Sequence, residues 1–397
     1  MTLTAWVATA TFLFVYALIA TEKIHRVAAA LGGAGVMLLI HATNAETAFF
    51  SEATGIDWNV IFLLFGMMVI VGVLKQTGVF EYLAIWAAKR AKGRPYPLMV
   101  LLVAITAIAS ALLDNVTTVL LVAPVTFLVC ERLALPAAPY LIAEALASNI
   151  GGAATLVGDP PNIIIASRAN LSFNDFLVHM APMVVVLMIA FILLCRVMFR
   201  RAFRYDPDRV AEIMALDERE AIKDRRLLVQ SLVVLGLVMA AFVLHPVLHY
   251  EPSVVALLGG GVLVAATKVT TSEALSEVEW PTLTFFAGLF VMVGALVHTG
   301  VIGLVSEAAA DAFAGRLGVA TMGLLGGSAV ISAIVDNIPY VATMAPIVGE
   351  LVEAAGDGSA QVLWWALALG ADLGGNATAV GAAANVVVLG IAARNGT

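Results

Sequence analysis

Charged side chains are scarce in this sequence. Of its 397 residues only 12% are charged, whereas 61% are hydrophobic. A soluble globular domain carries charge on about a quarter of its residues, so the composition excludes an ordinary water-soluble enzyme or binding module. Several apolar stretches, such as residues 227–248, reach the roughly 20 residues that a helix needs to cross a bilayer. We therefore expect an all-α membrane protein, folded as one polytopic transport domain over residues 1–397.

Cysteine is also scarce, with Cys130 and Cys195 the two present. Both lie in apolar stretches without metal-like spacing, so neither a disulfide framework nor a thiolate metal cluster is indicated, and we expect both to be packing residues. The first apolar stretch, residues 3–20, lacks a basic leader and is expected to be a spanning helix and not a cleaved signal. We expect no cofactor, no resident metal and no nucleic-acid partner; the expected partners are the lipid bilayer and a small inorganic solute.

Basic residues collect in three places, at Lys23 and Arg26, in residues 89–94 and in residues 196–226. Lys and Arg in short loops mark the cytoplasmic side of a membrane protein. The acid-containing residues 41–57 and 350–361 are expected outside. These patterns predict a multi-pass protein of the inner (cytoplasmic) membrane whose loop 200–226 is cytoplasmic.

An internal repeat organises the chain. "DWNVIFLLFGMMVIVGVLKQTGVF" resembles "EWPTLTFFAGLFVMVGALVHTGVI", and "LLDNVTTVLLVAPV" resembles "AIVDNIPYVATMAPI". Trp58 pairs with Trp280 and Asp114 with Asp336, a constant spacing of 222 residues. Farther on, "SNIGGAATLVGDPPN" resembles "ADLGGNATAVGAAAN" at a spacing of 223. A repeat of this length predicts two copies of one structural unit.

The charge pattern predicts that the two copies have opposite orientations, since Trp58 follows an expected outside segment and Trp280 starts on the expected cytoplasmic side. Inverted repeats are typical of secondary transporters that open alternately to the two sides. The predicted division is residues 1–56 as N-terminal helices, 57–200 as repeat 1, 201–226 as a cytoplasmic loop, 227–278 as linking helices and 279–397 as repeat 2.

Each copy contains an Asp-Asn pair between two short apolar runs, residues 98–113 and 116–130 in the first and 319–335 and 338–352 in the second. A charged pair is not tolerated at a turn that faces lipid. The pattern therefore predicts a re-entrant hairpin in each copy, with its polar tip at membrane depth.

Each copy then contains an interrupted transmembrane helix. In the first, residues 143–157 are followed by Gly158-Asp159-Pro160-Pro161-Asn162, where two prolines remove amide donors and must break the helix. In the second copy residues 381–385 lack both prolines and the acid, so the predicted break depends on the repeat. Half-helix ends supply ligands and partial charge to ions and substrates.

Four aspartates occur inside the repeated motifs. A carboxylate at the bilayer midplane costs at least about 2.5 to 3.5 kcal/mol, which indicates function, whereas a lone Asn, Thr or Gly is more often a packing residue. Glu144 has no acidic counterpart in the second copy, and both a functional and a purely structural role stay open for it. We expect no catalytic residue, and the candidate ion- or substrate-binding residues are Asp114, Asn115, Thr117, Thr118, Gly158, Asp159, Asn162, Asp336, Asn337, Asp372, Asn376, Thr378 and Asn385.

These motifs resemble the ion transporter superfamily, in the branch of the arsenite permease ArsB, the sodium/proton antiporter NhaD and the melanosomal P protein. The strings that carry the resemblance are "LLDNVTTVLLVAPV", "GGAATLVGDPPN", "VDNIPY" and "GADLGGNATAVGAAAN". The resemblance implies one half-site of Asn115, Thr117, Gly158 and Asn162, and another of Asn337, Asn376, Thr378 and Asn385. It also implies a final helix in repeat 2 that is missing, because the chain stops at Thr397.

Within this resemblance the expected function is proton-coupled efflux of arsenite or antimonite, with sodium/proton antiport as the alternative. Four carboxylates would repel an organic dianion, which disfavours a dicarboxylate or other anion permease. A passive channel and an intramembrane aspartyl protease are remoter alternatives, the latter because the Tyr205-Asp206 pair falls in the basic loop. Proton or sodium is the expected coupling ion, and a homodimer or an ATPase subunit stays open as a partner.

Overall fold

The chain is predominantly helical in the part that a computed structural model describes, residues 1–21, 23–203, 210, 214–313, 316–356 and 358–395. Within these residues there is no strand, and nine helices are long and apolar enough to cross a membrane. The predicted all-α membrane fold is therefore confirmed. Arg204, Tyr205, Asp206 and Arg209 of the basic loop lie outside the described residues, as do Asp357 and Thr397.

The first half of the chain contains ten α-helices. They are α1 (Leu3–Ala20), α2 (Arg26–Leu39), α3 (Ala45–Phe50), α4 (Trp58–Gln76), α5 (Val79–Arg90), α6 (Pro95–Leu112), α7 (Asn115–Arg132), α8 (Ala137–Gly152), α9 (Pro160–Ala169) and α10 (Phe173–Met198). The second half contains ten more within its described residues. They are α11 (Arg225–Val243), α12 (His245–Leu248), α13 (Pro252–Ala266), α14 (Thr271–Ser276), α15 (Trp280–His298), α16 (Val301–Phe313), α17 (Leu317–Ile334), α18 (Asn337–Ala355), α19 (Val362–Gly374) and α20 (Ala383–Arg394).

The core of the molecule contains α4 and α15, the two helices that begin at the repeated tryptophans. In each, 72% of the apolar window is buried, against 22% in α10 and α11. The exposed apolar surface of α10 and α11 fits contact with lipid, since a helix that is hydrophobic all round is either buried or in a membrane. The two repeated helices thus form the inner scaffold around which the site is built.

The Asp-Asn pairs lie where the chain turns between two helices. Asp114 separates α6 from α7, and Asp336 separates α17 from α18. α6 and α7 have 18 residues each, which gives each a length of about 27 Å, close to the roughly 30 Å of a bilayer core. Length therefore fits a full crossing as well as a re-entrant hairpin, and re-entry stays a prediction.

A break follows α8 and another follows α19. The first break is longer than predicted, because α8 ends at Gly152 and not at residue 157, and α9 begins at Pro160. At the end of α8, Gly152 lies so close to Gly158 that a Cβ on it would be 2.6 Å from the Gly158 carbonyl oxygen, and the chain turns there before the prolines are reached. The second break separates Gly374 from Ala383 without any proline.

The apolar stretch 227–248 is not one continuous helix, which corrects the sequence interpretation. α11 ends at Val243, and Pro246 lies in the first turn of the short α12. A proline has no amide hydrogen to donate and fits best in the first turn of a helix, where Pro246 lies. Prolines do not break every helix here, since α7, α10 and α18 each contain one in their interior.

The basic loop contacts α5. Lys89 Nζ donates hydrogen bonds to Glu218 Oε2 at 2.5 Å and to the Leu216 carbonyl at 2.9 Å. The hydrogen bond from Lys89 holds the pKa of Glu218 below its ordinary range. This contact attaches the basic loop to the C-terminal end of α5.

Candidate functional site

The two Asp-Asn turns have the same local construction. Asp114 Oδ1 accepts a hydrogen bond from the Thr117 amide at 2.8 Å, and Asp336 Oδ1 accepts one from the Ile338 amide at 3.1 Å. Each aspartate is thus the N-cap of the helix that follows, which satisfies an amide that would otherwise lack a partner. The cap places the next residue, an asparagine in both copies, at the first position of α7 or α18.

Asp159 joins the two asparagines. Its carboxylate accepts hydrogen bonds from Asn115 Nδ2 at 2.9 Å and from Asn337 Nδ2 at 3.3 Å. The side chain is buried at the end of the first break, immediately before α9. One carboxylate therefore holds the tips of both copies together.

Asn149, which the sequence interpretation missed, connects the same groups to the second break. Its Oδ1 accepts from Asn115 at 3.2 Å, while its Nδ2 donates to Asn376 Oδ1 at 2.9 Å and Asn385 Oδ1 at 3.1 Å. The repeat contained the signal, since Asn149 occupies the position of Asp372 in the other copy.

Matching hydrogen bonds hold the two breaks. Asn162 Nδ2 donates to the Gly152 and Thr155 carbonyls, and Asn385 Nδ2 donates to the equivalent Gly375 and Thr378 carbonyls. The hydroxyls of Thr155 and Thr378 likewise donate to the equivalent carbonyls, of Ala111 and Ala333. These asparagines and threonines therefore shape the site as well as bordering it.

Asp372 is the least compensated group of the cluster. It is fully buried on α19, and neither carboxylate oxygen accepts a hydrogen bond of good geometry in the described part of the chain; the side chain of Asn162 lies close enough to stabilise it weakly. Asp159 is within electrostatic range of Asp372, Asp336 and Asp114. A buried carboxylate without partners is costly unless a proton or a cation neutralises it.

The structure thus places the four predicted aspartates in one group, called here the carboxylate cluster: Asp114, Asp159, Asp336 and Asp372. Their binding role stays a prediction. Gly158 has a packing role, because a Cβ there would lie 2.4 Å from the Gly152 carbonyl oxygen. Thr117 contributes its amide to the cap of α7, and Thr118 points its hydroxyl to no partner among the described residues.

Arg26 was interpreted only as a marker of the cytoplasmic side, yet it also reaches the cluster. Its Nη1 lies 3.4 Å from Asp336 Oδ2 and its Nη2 lies 3.5 Å from Thr282 Oγ1, and the guanidinium carbon lies 5.4 Å from the centre of the Phe285 ring. It lines a cavity of about 530 Å³ together with Glu279, Asp336 and residues of α1, α7 and α20. The cavity thus reaches the cluster from the end of the molecule at which α2 and α15 begin.

The two breaks differ in exposure. Residues 154–157 of the first are buried, whereas the equivalent residues 377–380 of the second are exposed. Val380, at the end of the exposed segment, lines the 530 Å³ cavity. The site is therefore covered at one break and accessible at the other.

Comparison with known proteins places the chain among transporters. A family model described as "CitMHS: Citrate transporter" matches residues 16–370. A "46 kDa membrane protein" of Mycobacterium leprae is 57% identical over 392 residues, which cover 98% of this chain and 91% of that protein. An uncharacterized transporter of Mycobacterium tuberculosis is 58% identical over 391 residues, with the same coverage.

More distant relatives include the human P protein, which is 34% identical over 470 residues covering 98% of this chain and 56% of that protein. The expected resemblance to the branch containing the P protein is therefore confirmed. The crystal structure of the YdaH transporter of Alcanivorax borkumensis matches with a TM-score of 0.58 and 16% identity, covering 99% of this chain and 91% of that one. At that identity the match shows a shared fold and nothing finer.

Proposed function

The chain belongs to the citrate transporter family and is a multi-pass membrane transporter, and we propose that protons drive its transport. The observation that carries the proposal is the fully buried Asp372, whose two oxygens accept no hydrogen bond of good geometry among the described residues and have the side chain of Asn162 as a weak polar neighbour. Asp159 lies within electrostatic range of it, and two like charges in low dielectric cannot both persist. Binding and release of a proton in this cluster is the simplest step that couples a proton gradient to a change of conformation.

The unequal exposure of the two breaks supports alternating access. The accessible break lies beside the cavity that contains Arg26, on the predicted cytoplasmic side. This conformation is accordingly inward-open, and exchanging the roles of the two copies produces the outward-open one.

The donor set favours a neutral solute or a cation. The cluster offers carboxylates, asparagine amides and backbone carbonyls. The two cysteines are buried elsewhere: Cys130 lies on α7, near Glu144 of α8, and Cys195 lies on α10. Arsenous or antimonous acid has hydroxyls that can donate to these oxygens, and the proposed activity is its efflux in exchange for protons. Sodium/proton exchange is the alternative with the same donors, since hard cations take oxygen ligands.

Arg26 favours citrate as a second candidate. Its guanidinium lies in the cavity wall beside Asp336, and arginine binds carboxylates with two parallel hydrogen bonds. The family description adds weight to a carboxylate substrate. Against it stand the four aspartates, which would repel a citrate anion that moved beyond Arg26 into the cluster.

Proton flux in proteoliposomes tests the proposal, with arsenite, antimonite, sodium and citrate supplied in turn. We expect one of these solutes to move protons, and Asp159→Asn and Asp372→Asn each to reduce that flux about 100-fold, as for loss of a proton-transfer group. Asp311→Asn, at an exposed aspartate on α16, is the matched control and keeps the flux. A solute flux that does not depend on the pH gradient would instead identify a passive channel.

Arg26→Gln separates the substrate candidates. If citrate is the substrate, this variant loses citrate-dependent flux because the positive charge of Arg26 in the cavity wall is gone. If arsenite or sodium is the substrate, its flux persists, since these solutes need no positive charge in the cavity wall.

A further inference from the structure

Glu144 is a buried carboxylic acid that the carboxylate cluster does not include. It lies in the middle of α8 with 1% of its surface exposed. Thr126 of α7 donates a hydrogen bond to Oε1, and Oε2 has no partner in the described part of the molecule. A buried carboxyl group that receives one hydrogen bond in apolar surroundings is more stable in its protonated, neutral form than as a charged carboxylate. These surroundings therefore favour binding of a proton by Glu144.

A file of polar side chains runs along the face of α8 that contains Glu144. Tyr140, Glu144 and Ser148 are spaced four residues apart, which places them one above the other on a helix. All three are buried. At one end Tyr140 donates to the Pro95 carbonyl at 3.1 Å, and at the other Ser148 donates to the Asn115 carbonyl at 2.9 Å.

The helices packed against α8 add hydroxyls to the same interior. Thr106 of α6 and Thr118 of α7 are completely buried, and neither hydroxyl has a hydrogen-bond partner among the residues described. Thr118 lies on the same face of α7 as Thr126, two helical turns away. Hydroxyl groups both donate and accept hydrogen bonds, which is the property a proton path needs.

The second copy shows that the fold does not require these groups. Leu363, Leu367 and Val348 occupy the positions of Tyr140, Glu144 and Thr126. At the positions of Thr106 and Thr118 stand Ser328 and Tyr340, whose hydroxyls lie 2.9 Å apart and satisfy each other. The polar file is therefore confined to the first copy, although both copies build the same break and the same tip.

We propose that Glu144 is a second proton-binding site, which exchanges protons between the end of the file at Pro95 and the carboxylate cluster. The inference rests on the proposed proton coupling. A proton adds to Oε2 to form an O–H bond and leaves through the hydroxyls and intervening water, while Oε1 keeps the hydrogen bond from Thr126. Pro95 directly follows the basic residues 89–94, so the file exchanges protons with the predicted cytoplasmic side.

Two other titratable groups lie near Glu144, Cys130 on α7 and Tyr140 on α8. Both are neutral hydrogen-bonding groups when protonated and offer no positive charge to hold a carboxylate. The proton on Glu144 is thus exchanged with the file and not fixed by an ion pair among these neighbours.

Infrared spectroscopy of the substrate-free protein tests the site without relying on transport. The carbonyl stretch of a protonated carboxyl group should appear and disappear with pH in the native protein. We expect Glu144→Gln to remove one such signal and Asp372→Asn to remove a different one. Gln keeps an acceptor for Thr126, so the fold is preserved. An infrared titration that Glu144→Gln leaves unchanged overturns the proposal.

Transport gives the second readout. Glu144→Gln should slow proton-coupled flux about 100-fold and change its pH profile, while substrate affinity measured at equilibrium stays within about twofold of the native value. The double variant Thr126→Val, Glu144→Leu has the residue types of the second copy and should behave in the same way. Glu353→Gln, at an exposed position of α18, is the control.

The outcomes separate this inference from the proposed function. If the native protein moves no protons with any of the four solutes, the proposed function fails, and the infrared titration alone decides whether Glu144 binds a proton. If the native protein is proton-coupled and both Glu144 variants transport at the native rate with the native pH profile, the inference is wrong and the proposed function stands.

Discussion

Asn149 connects the two half-sites through a single amide group. It accepts a hydrogen bond from Asn115 of the first copy and donates to Asn376 and Asn385 of the second. Buried amides in this arrangement specify one relative position of their neighbours, because a shift of either side leaves donors or acceptors unpaired. The residue therefore matters for both stability and the fit of the halves.

Replacement of Asn149 by alanine should both destabilise and inactivate the protein. Three partner amides lose a hydrogen bond, and each buried polar group left unpaired costs about 1–3 kcal/mol. We expect a lower melting temperature in thermal unfolding of the purified protein, together with loss of flux. Asn395→Ala is the control, since the Asn395 side chain caps the end of α20 by donating to the Ile391 carbonyl and lies exposed; equal melting temperatures for the two variants would contradict the assigned role.

The sequence allowed part of this site to be predicted, and the physical reason differs by residue. Asp159 and Asp372 could be identified because a carboxylate in an apolar run is too costly to be accidental. Asn149 was missed because a lone asparagine in a membrane helix is ordinarily a packing residue, although its alignment with Asp372 in the repeat could have identified it. The role of Arg26 could not be predicted, because its contact with Asp336 joins positions 310 residues apart. Its positive charge was also already accounted for as a marker of the cytoplasmic side.

At the scale of helices, glycines set how closely the repeated elements approach. A Cβ on Gly151 of α8 would lie 2.4 Å from the Ala107 carbonyl oxygen of α6, and one on Gly374 of α19 would lie 2.5 Å from that of Ala329 on α17. The two pairs are equivalent in the repeat. Each break therefore begins where its helix touches the backbone of an earlier helix, α6 in the first copy and α17 in the second.

Gly151→Ala and Gly374→Ala should each lower stability. The added methyl group must push two backbones apart, and overpacking of this kind costs about 1–3 kcal/mol. Thermal unfolding measures the effect, with Gly236→Ala on α11 as the control, since no atom lies within 4 Å of its added Cβ. That control should be neutral or stabilising by up to about 1 kcal/mol, because alanine favours helix over glycine. Destabilisation of Gly236→Ala by the same amount would argue against a packing role.

The ends of helices were harder to predict than their presence. Apolar length and the repeat indicated the helices around both tips, because these depend on composition over many residues. The end of α8 at Gly152 depends instead on one close contact between Gly152 and Gly158, which a sequence alone does not display. The split at Pro246 did not follow from the proline alone, because proline disfavours a helix interior and yet Pro124, Pro182 and Pro346 lie inside continuous helices.

At the scale of the whole molecule, the opposite orientation of the two copies stays a prediction that cysteine labelling can test. Two variants each place a cysteine at an exposed position before a repeated helix: Glu52→Cys before α4 and Ser272→Cys before α15. An impermeant thiol reagent applied to intact cells should label the first variant and reach the second only after permeabilisation. Background labelling is low because Cys130 and Cys195 are buried. Labelling of both from outside would show that the copies are parallel.

Equivalent positions in the two breaks should also differ in accessibility. Ala154 is buried in the first break, and its counterpart Ala377 is exposed in the second. We expect Ala377→Cys to react from the cytoplasmic face of inverted vesicles and Ala154→Cys to remain protected. Addition of the transported solute together with a proton gradient should raise labelling of Ala154→Cys from the outer face. Equal reactivity of both cysteines under all conditions would contradict alternating access.

Asp159 receives the amides of Asn115 and Asn337 on the same carboxylate, and this sharing has a thermodynamic consequence. Any ligand whose affinity depends on the position of one tip must, by linkage, change the affinity of a ligand sensed at the other by the same factor. A proton on Asp159 weakens both contacts at once, so its binding free energy contains a term from each half of the molecule. Under the proposed proton coupling, the proton and the solute are reciprocal effectors, and the gradient of either one drives the movement of the other.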